Sequence, residues 1–337
     1  MMKKILITSL AVIALFSCSK EDIPGQDDAR EISFGVMDAR TRVENASEIS
    51  EFGVSGVMNL GSEGTEEYDQ YISLFDNERI YRASDADNAA FIYDDKRYWI
   101  NDRTFHFLGV YPYMQNSVEA ATLSQYGVDY DGYRVEFEVP QTADKDFMIA
   151  HKTQLIAADA TSYPTVDLSF SHALCKVNLN VAKNQNNKDD RVYVVKMKIR
   201  GMWKSGTLYT SRFANYTDNW DFYGSSILEM TTPSDFIPIE VGVDGTEIMR
   251  DLMLIPQAIG VNAVAVEINY VFYSFYSGGS TGENKTATAY LPATTWEASK
   301  EYTYNIVLAA EDNQIRFTTP TVKPWGAAQT GGTIIIQ

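Results

Sequence analysis

Lys176-Val177-Asn178-Leu179-Asn180-Val181 alternates a polar residue with an aliphatic one over six positions. Successive side chains of a β-strand point to opposite faces, so Val177, Leu179 and Val181 are expected on a buried face and Lys176, Asn178 and Asn180 on a wet one. The same two-residue period recurs at 31–36, 134–139, 166–170, 192–199, 264–270 and 302–308. Strands buried on one side only are the mark of antiparallel sheets. Aromatic and β-branched residues, which fit a pleated half-buried surface, fill these runs between Gly, Asn, Asp and Pro. No long segment carries the 3.6-residue period of an amphipathic helix, and short helical turns are expected only near 84–90 and 117–126. The sequence therefore reads as all-β, made of antiparallel β-sandwiches.

A first block of strands runs from about residue 31 to 153, and residues 154–164 (QLIAADATSYP) read as a connection to a second block. The expected layout is a β-sandwich domain over 31–162 and another over 163–337, after a leader at 1–17 and a tether at 18–30. The polar loop at 182–191 (AKNQNNKDDR) is expected to close a hairpin between 177–181 and 192–199. The last strands are expected at 301–308, 315–318 and 333–337. The 337 residues carry a formal net charge of −17, and losing Lys3 and Lys4 with residues 1–17 takes it two lower, to −19. A field of that sign repels phosphate backbones, which argues against nucleic acid as a partner.

At the N-terminus, Lys3 and Lys4 precede an uncharged run over residues 5–16 that is too short to span a bilayer. That run ends in Leu15-Phe16-Ser17-Cys18, which resembles the lipobox of bacterial lipoproteins, whose signal is cut before a Cys that is then acylated. Cys18 is thus the expected lipidation site, and acyl chains add about 0.8 kcal/mol of membrane affinity per buried CH₂. Ser19-Lys20-Glu21-Asp22 resembles the short tag after the acylated Cys of surface-exposed lipoproteins. The expected address is the outer membrane, lipid-anchored and facing outward.

With Cys18 acylated, Cys175 has no intramolecular disulfide partner. Its setting, Leu174-Cys175-Lys176-Val177, is that of a buried structural thiol. His106, His151 and His172 stand far apart and show no metal-ligand spacing, so no metal or other cofactor is expected. Asp94-Asp95 and Asp189-Asp190 read as solvated turns rather than as a pair of hydrolytic carboxylates. No catalytic residue is identified, and no enzyme is expected. The run Tyr270-Val271-Phe272-Tyr273-Ser274-Phe275-Tyr276 could stack on sugars, but its alternation fits a strand covered on both faces better.

Several motifs then converge. Phe170-Ser171-His172-Ala173-Leu174-Cys175-Lys176-Val177 resembles the Phe-x-His-Ala-Leu-x-Lys-Val strand of fimbrillin-like proteins, the type V pilin superfamily. Phe105-His106-Phe107 with Tyr111-Pro112, Asp146-Phe147-Met148-Ile149-Ala150 and Leu254-Ile255-Pro256-Gln257 are similar to further family elements, in the family's order. So are Trp296, Tyr302-Thr303-Tyr304 and Val322-Lys323-Pro324-Trp325. The resemblance spans nearly all of residues 31–337. It implies two transthyretin-like β-sandwich domains, export as a lipoprotein, and removal of an N-terminal strand by a surface Arg-specific protease. The emptied groove then takes a strand from the next subunit.

Under that resemblance, residues 31–36 are the candidate removable strand, with Ile32, Phe34 and Val36 on one side. Arg40 and Arg42 follow as candidate cleavage points. At the other end, Ile334, Ile335 and Ile336 form an apolar strand on a free terminus, suited to completing its own sheet or a neighbour's. The expected partners are other pilus subunits. The alternative is a monomeric, lipid-anchored surface lipoprotein that binds glycan or host protein.

Overall fold

In the computed structural model, the alternating run lies inside the strand Cys175–Lys183. The structure describes residues 30–37, 49–62, 70–84, 86, 89–114, 121–126, 132–211, 219–222, 227–275, 282–310 and 313–325. They form an almost purely β fold, antiparallel except for two pairs of strands. Cys175–Lys183 is a central strand, flanked antiparallel by Thr246–Leu254 and parallel by Lys300–Ala309. Its polar face is not wet, contrary to the expectation from alternation, because Lys176 and Asn178 are also buried. Burial of such groups is tolerated when each finds a partner. Lys176 Nζ lies 3.3 Å from Asp251 Oδ1, and Asn178 donates to Glu301 Oε1 at 2.9 Å and accepts from the Asp251 N–H at 2.8 Å.

Strands Arg191–Trp203, Ala265–Tyr273 and Glu283–Tyr290 build a second sheet, with Ile227–Thr231 and Ile239–Glu240 along the outer side of the first of these. The expected hairpin across residues 182–191 is therefore not formed. Its two arms enter different sheets, and the loop holds a short 3₁₀ turn at Gln185–Asn187. Apolar residues of both sheets, among them Val177, Leu179, Met197, Ile199, Val266 and Ile306, join one buried cluster. That is the arrangement of a sandwich, in which inward-facing side chains of two sheets share one core.

Another cluster lies under the six-stranded sheet that contains Glu51–Asn59, Tyr71–Arg82, Phe91–Ile92, Arg103–Tyr111, Met148–Ile156 and Ser171–His172. Arg103–Tyr111 serves both clusters. Phe105 and Phe107 point into this one, whereas Leu108 and Val110 belong to the first. Pairing also crosses the expected 162/163 boundary in both directions. Val166, Leu168 and Phe170 pack with the residues before 162, and Gly132–Glu138 pairs with Ser205–Ser211. The helical turn expected near 117–126 is instead the strand Ala121–Tyr126, paired to Gly132–Glu138. A polar hairpin has too little local apolar spacing to announce itself as strand.

Candidate functional site

The Phe170–Val177 segment passes from one core to the other: Phe170 is buried in the N-terminal cluster and Ala173, Leu174, Cys175 and Val177 in the C-terminal one. Between them, His172 Nδ1–H donates to Asp146 Oδ2 at 2.6 Å, and the imidazole stacks on Trp325 with centroids 3.7 Å apart and planes 4° from parallel. Lys176 Nζ stands over the same indole, 5.0 Å from its centroid, a cation–π contact. The motifs around Asp146, His172 and Trp325 thus meet at one joint. These contacts hold three segments of the chain together. Cys175 Sγ is fully buried beside them and donates to the Leu254 carbonyl at 3.3 Å, and burial pushes its thiol pKa up, away from the reactive thiolate.

The acidic pairs do not form a site. Asp94 accepts from Tyr81 Oη, while Asp190 is buried and accepts from Asn187 Nδ2 and the Phe275 N–H, so it pins a loop instead of facing solvent. Among the described residues, no cluster of three or more His, Cys, Asp or Glu side chains could hold a metal ion. In the aromatic run, Tyr270 and Phe272 are buried and Val271 and Tyr273 half-buried, as packing requires, and Phe275 is 65% exposed.

His106 lies beside Thr153 Oγ1 at 3.0 Å, and burial pushes its imidazole down to about 4 from 6.5. A His held neutral in the fold contributes stability that is full above the unfolded value and is lost as pH falls from about 6.5 towards 4. The thermal midpoint of the parent is therefore expected to fall more steeply across that window than that of His106→Gln. Parallel curves would contradict it.

The N-terminal strand is where the expected site residues do come together. Phe34–Val36 pairs parallel with Val166–Leu168, in the register Phe34 with Val166 and Val36 with Leu168. Upstream, the chain leans on a different neighbour. Ile32 N–H donates to the Arg97 carbonyl at 2.8 Å, and Trp99 N–H donates to the Arg30 carbonyl at 2.9 Å. Ile32 is 0% and Phe34 4% exposed, and Val36 is half-buried. Phe34 meets Phe75, Tyr93 and Phe107 edge-to-face at 5.4, 5.8 and 5.8 Å between centroids. Tyr93 Oη also donates to the Ile32 carbonyl at 2.8 Å.

Burying two such side chains stabilises by about 1.5–3 kcal/mol each relative to leaving them exposed. Taking this strand away would bare an apolar trough and the unpaired edge of Val166–Leu168. Sequence reasoning did not bring together the walls of the trough, Phe75, Tyr93 and Phe107, because they come from three separate segments. Cys18, Arg40, Arg42, Ile334, Ile335 and Ile336 lie outside the described residues.

The described residues form an almost purely β fold around two buried clusters, and comparison with known proteins gives the family. The fimbrillin-like family model matches residues 41–325, and the chain belongs to that family. Among solved structures, a fimbrial protein from Bacteroides vulgatus is similar at 19% identity and a TM-score of 0.68, covering 88% of this chain and 99% of its own. A candidate cell adhesion protein from Bacteroides uniformis is similar at 16% identity and a TM-score of 0.50, covering 89% and 99%. At these identities the two structures speak for the fold alone. No curated protein matches the chain. The family is one of fimbrial proteins of the cell surface.

Proposed function

We propose that this chain is a non-catalytic pilus subunit that travels as a lipoprotein anchored through Cys18 to the outer membrane. An Arg-specific protease trims it after Arg40 or Arg42, and a strand from another subunit then fills the groove left by residues 31–36. We divide the chain into two β-sandwich domains, one around each buried cluster, joined through Phe170–Val177. The observation that carries the reading is the strand at 31–36. Ile32 and Phe34 are sealed in the core, yet the segment, the first of the described strands, borrows its pairing from two different neighbours. Two candidate cleavage points follow it within six residues of Val36. Burial makes the groove worth refilling, and its open edge supplies the backbone groups that a guest strand needs.

The double variant Arg40→Ala/Arg42→Ala is expected to keep its N-terminal strand, stay monomeric on a non-denaturing gel and remain folded. Oligomer ladders equal to the parent's would refute trimming at these positions. One observation favours a second reading, a monomeric lipid-anchored protein that binds glycan or host protein. Exposed Phe275 follows the strand bearing Tyr273, whose ring meets Tyr193 edge-on at 5.9 Å, and such rings could stack on sugar.

A further inference from the structure

The trough under residues 31–36 is not a uniform apolar slot. The place of Ile32 is closed off from solvent, that of Val36 is shallow, and the middle one is a cage of three rings around Phe34. All three rings meet Phe34 at steep angles, 82°, 72° and 87°, so they present a shape and a quadrupole that suit another ring. An aliphatic guest has no ring edge to offer and leaves part of the cage empty. A Cβ at Gly35 would lie 2.5 Å from Asp167 Oδ1, the end of an exposed side chain free to swing aside, so this position selects little. In the orientation of the native strand, the groove therefore reads apolar, any residue, aromatic, any residue, apolar.

This chain's own C-terminal residues do not match. Residues 326–337 (GAAQTGGTIIIQ) contain no aromatic residue. Taking strand exchange as the mode of assembly, we propose that the groove selects a strand bearing an aromatic residue from a different subunit, and disfavours the C-terminal strand of a second copy of this chain. The cage thus makes the subunit a joint between unlike subunits.

The test uses the full chain, treated with an Arg-specific protease in the presence of one of three labelled peptides. These are residues 31–38, the same peptide with Phe34→Ile, and residues 330–337. The native-sequence peptide is expected to be retained, the Phe34→Ile peptide to bind about tenfold or more weakly, and the tail peptide to bind weakest, a tenfold step corresponding to about 1.4 kcal/mol. Equal binding of the first two, or tightest binding of the tail peptide, would overturn the selectivity while leaving strand exchange intact. Retention of none after confirmed cleavage would overturn strand exchange and the selectivity with it. Independently of cleavage, Phe34→Ile in the intact chain is expected to lower the folding equilibrium constant about tenfold. An unchanged constant would show that the cage has no need of a ring.

Discussion

Phe34→Ala is expected to cost the intact chain about 3–5 kcal/mol of stability, the range for emptying a buried aromatic site. The same substitution is expected to have no effect on assembled fibres. In the intact chain the ring fills the cage formed by Phe75, Tyr93 and Phe107, and its loss leaves three rings facing a void. After cleavage at Arg40 or Arg42, residue 34 is no longer part of the molecule. Phe107→Ala serves as the control, since Phe107 lies in the retained sheet and is fully buried. It should destabilise monomer and fibre alike. Denaturant unfolding of both forms decides the matter, and a Phe34→Ala loss that persists in the fibre would mean that the strand is never removed.

The second large effect is expected at the joint between the two cores. Trp325→Ala should cost about 3–5 kcal/mol, because a nearly fully buried indole leaves two polar neighbours behind. His172 would lose its stacking partner and Lys176 the ring beneath its ammonium, and both are buried side chains that water cannot easily reach. The Trp325 backbone N–H also donates to the Ser299 carbonyl at 2.9 Å, directly after the strand Thr321–Pro324, and this bond survives the substitution. Trp325→Phe keeps a ring on His172 and is expected to recover part of the loss. A cost below about 1 kcal/mol for the alanine variant would show that the stack is incidental.

Much of this fold was legible because a strand with one covered face writes its period into the sequence. Residues 192–199 lie wholly on an observed strand and 31–36, 166–170 and 264–270 in part, at 34–36, 166–168 and 265–270, and the alternation at 31–36 assigned Ile32 and Phe34 correctly to the buried side. Partnership was not legible. Nothing local tells Cys175–Lys183 to pair in parallel with Lys300–Ala309, more than a hundred residues away, and the loop at 182–191 looks like any hairpin turn. Lys176 and Asn178 misled for a related reason: their burial depends on Asp251 and Glu301, which only the tertiary fold brings near. Within the candidate site the strand was visible and its cage was not, because Phe75, Tyr93 and Phe107 stand on different segments. The Asp146–His172–Trp325 joint was present in the sequence as three separate motifs, and only the structure shows that they are one contact set.

The central claim is that residues 31–36 are a removable strand. Intact mass and N-terminal sequence of subunits taken from native surface fibres test it most directly. A new N-terminus at Thr41 or Val43, in subunits that run as a ladder of oligomers, is the predicted result. Fibre subunits that still begin at an acylated Cys18 and retain Ile32 and Phe34 would contradict it.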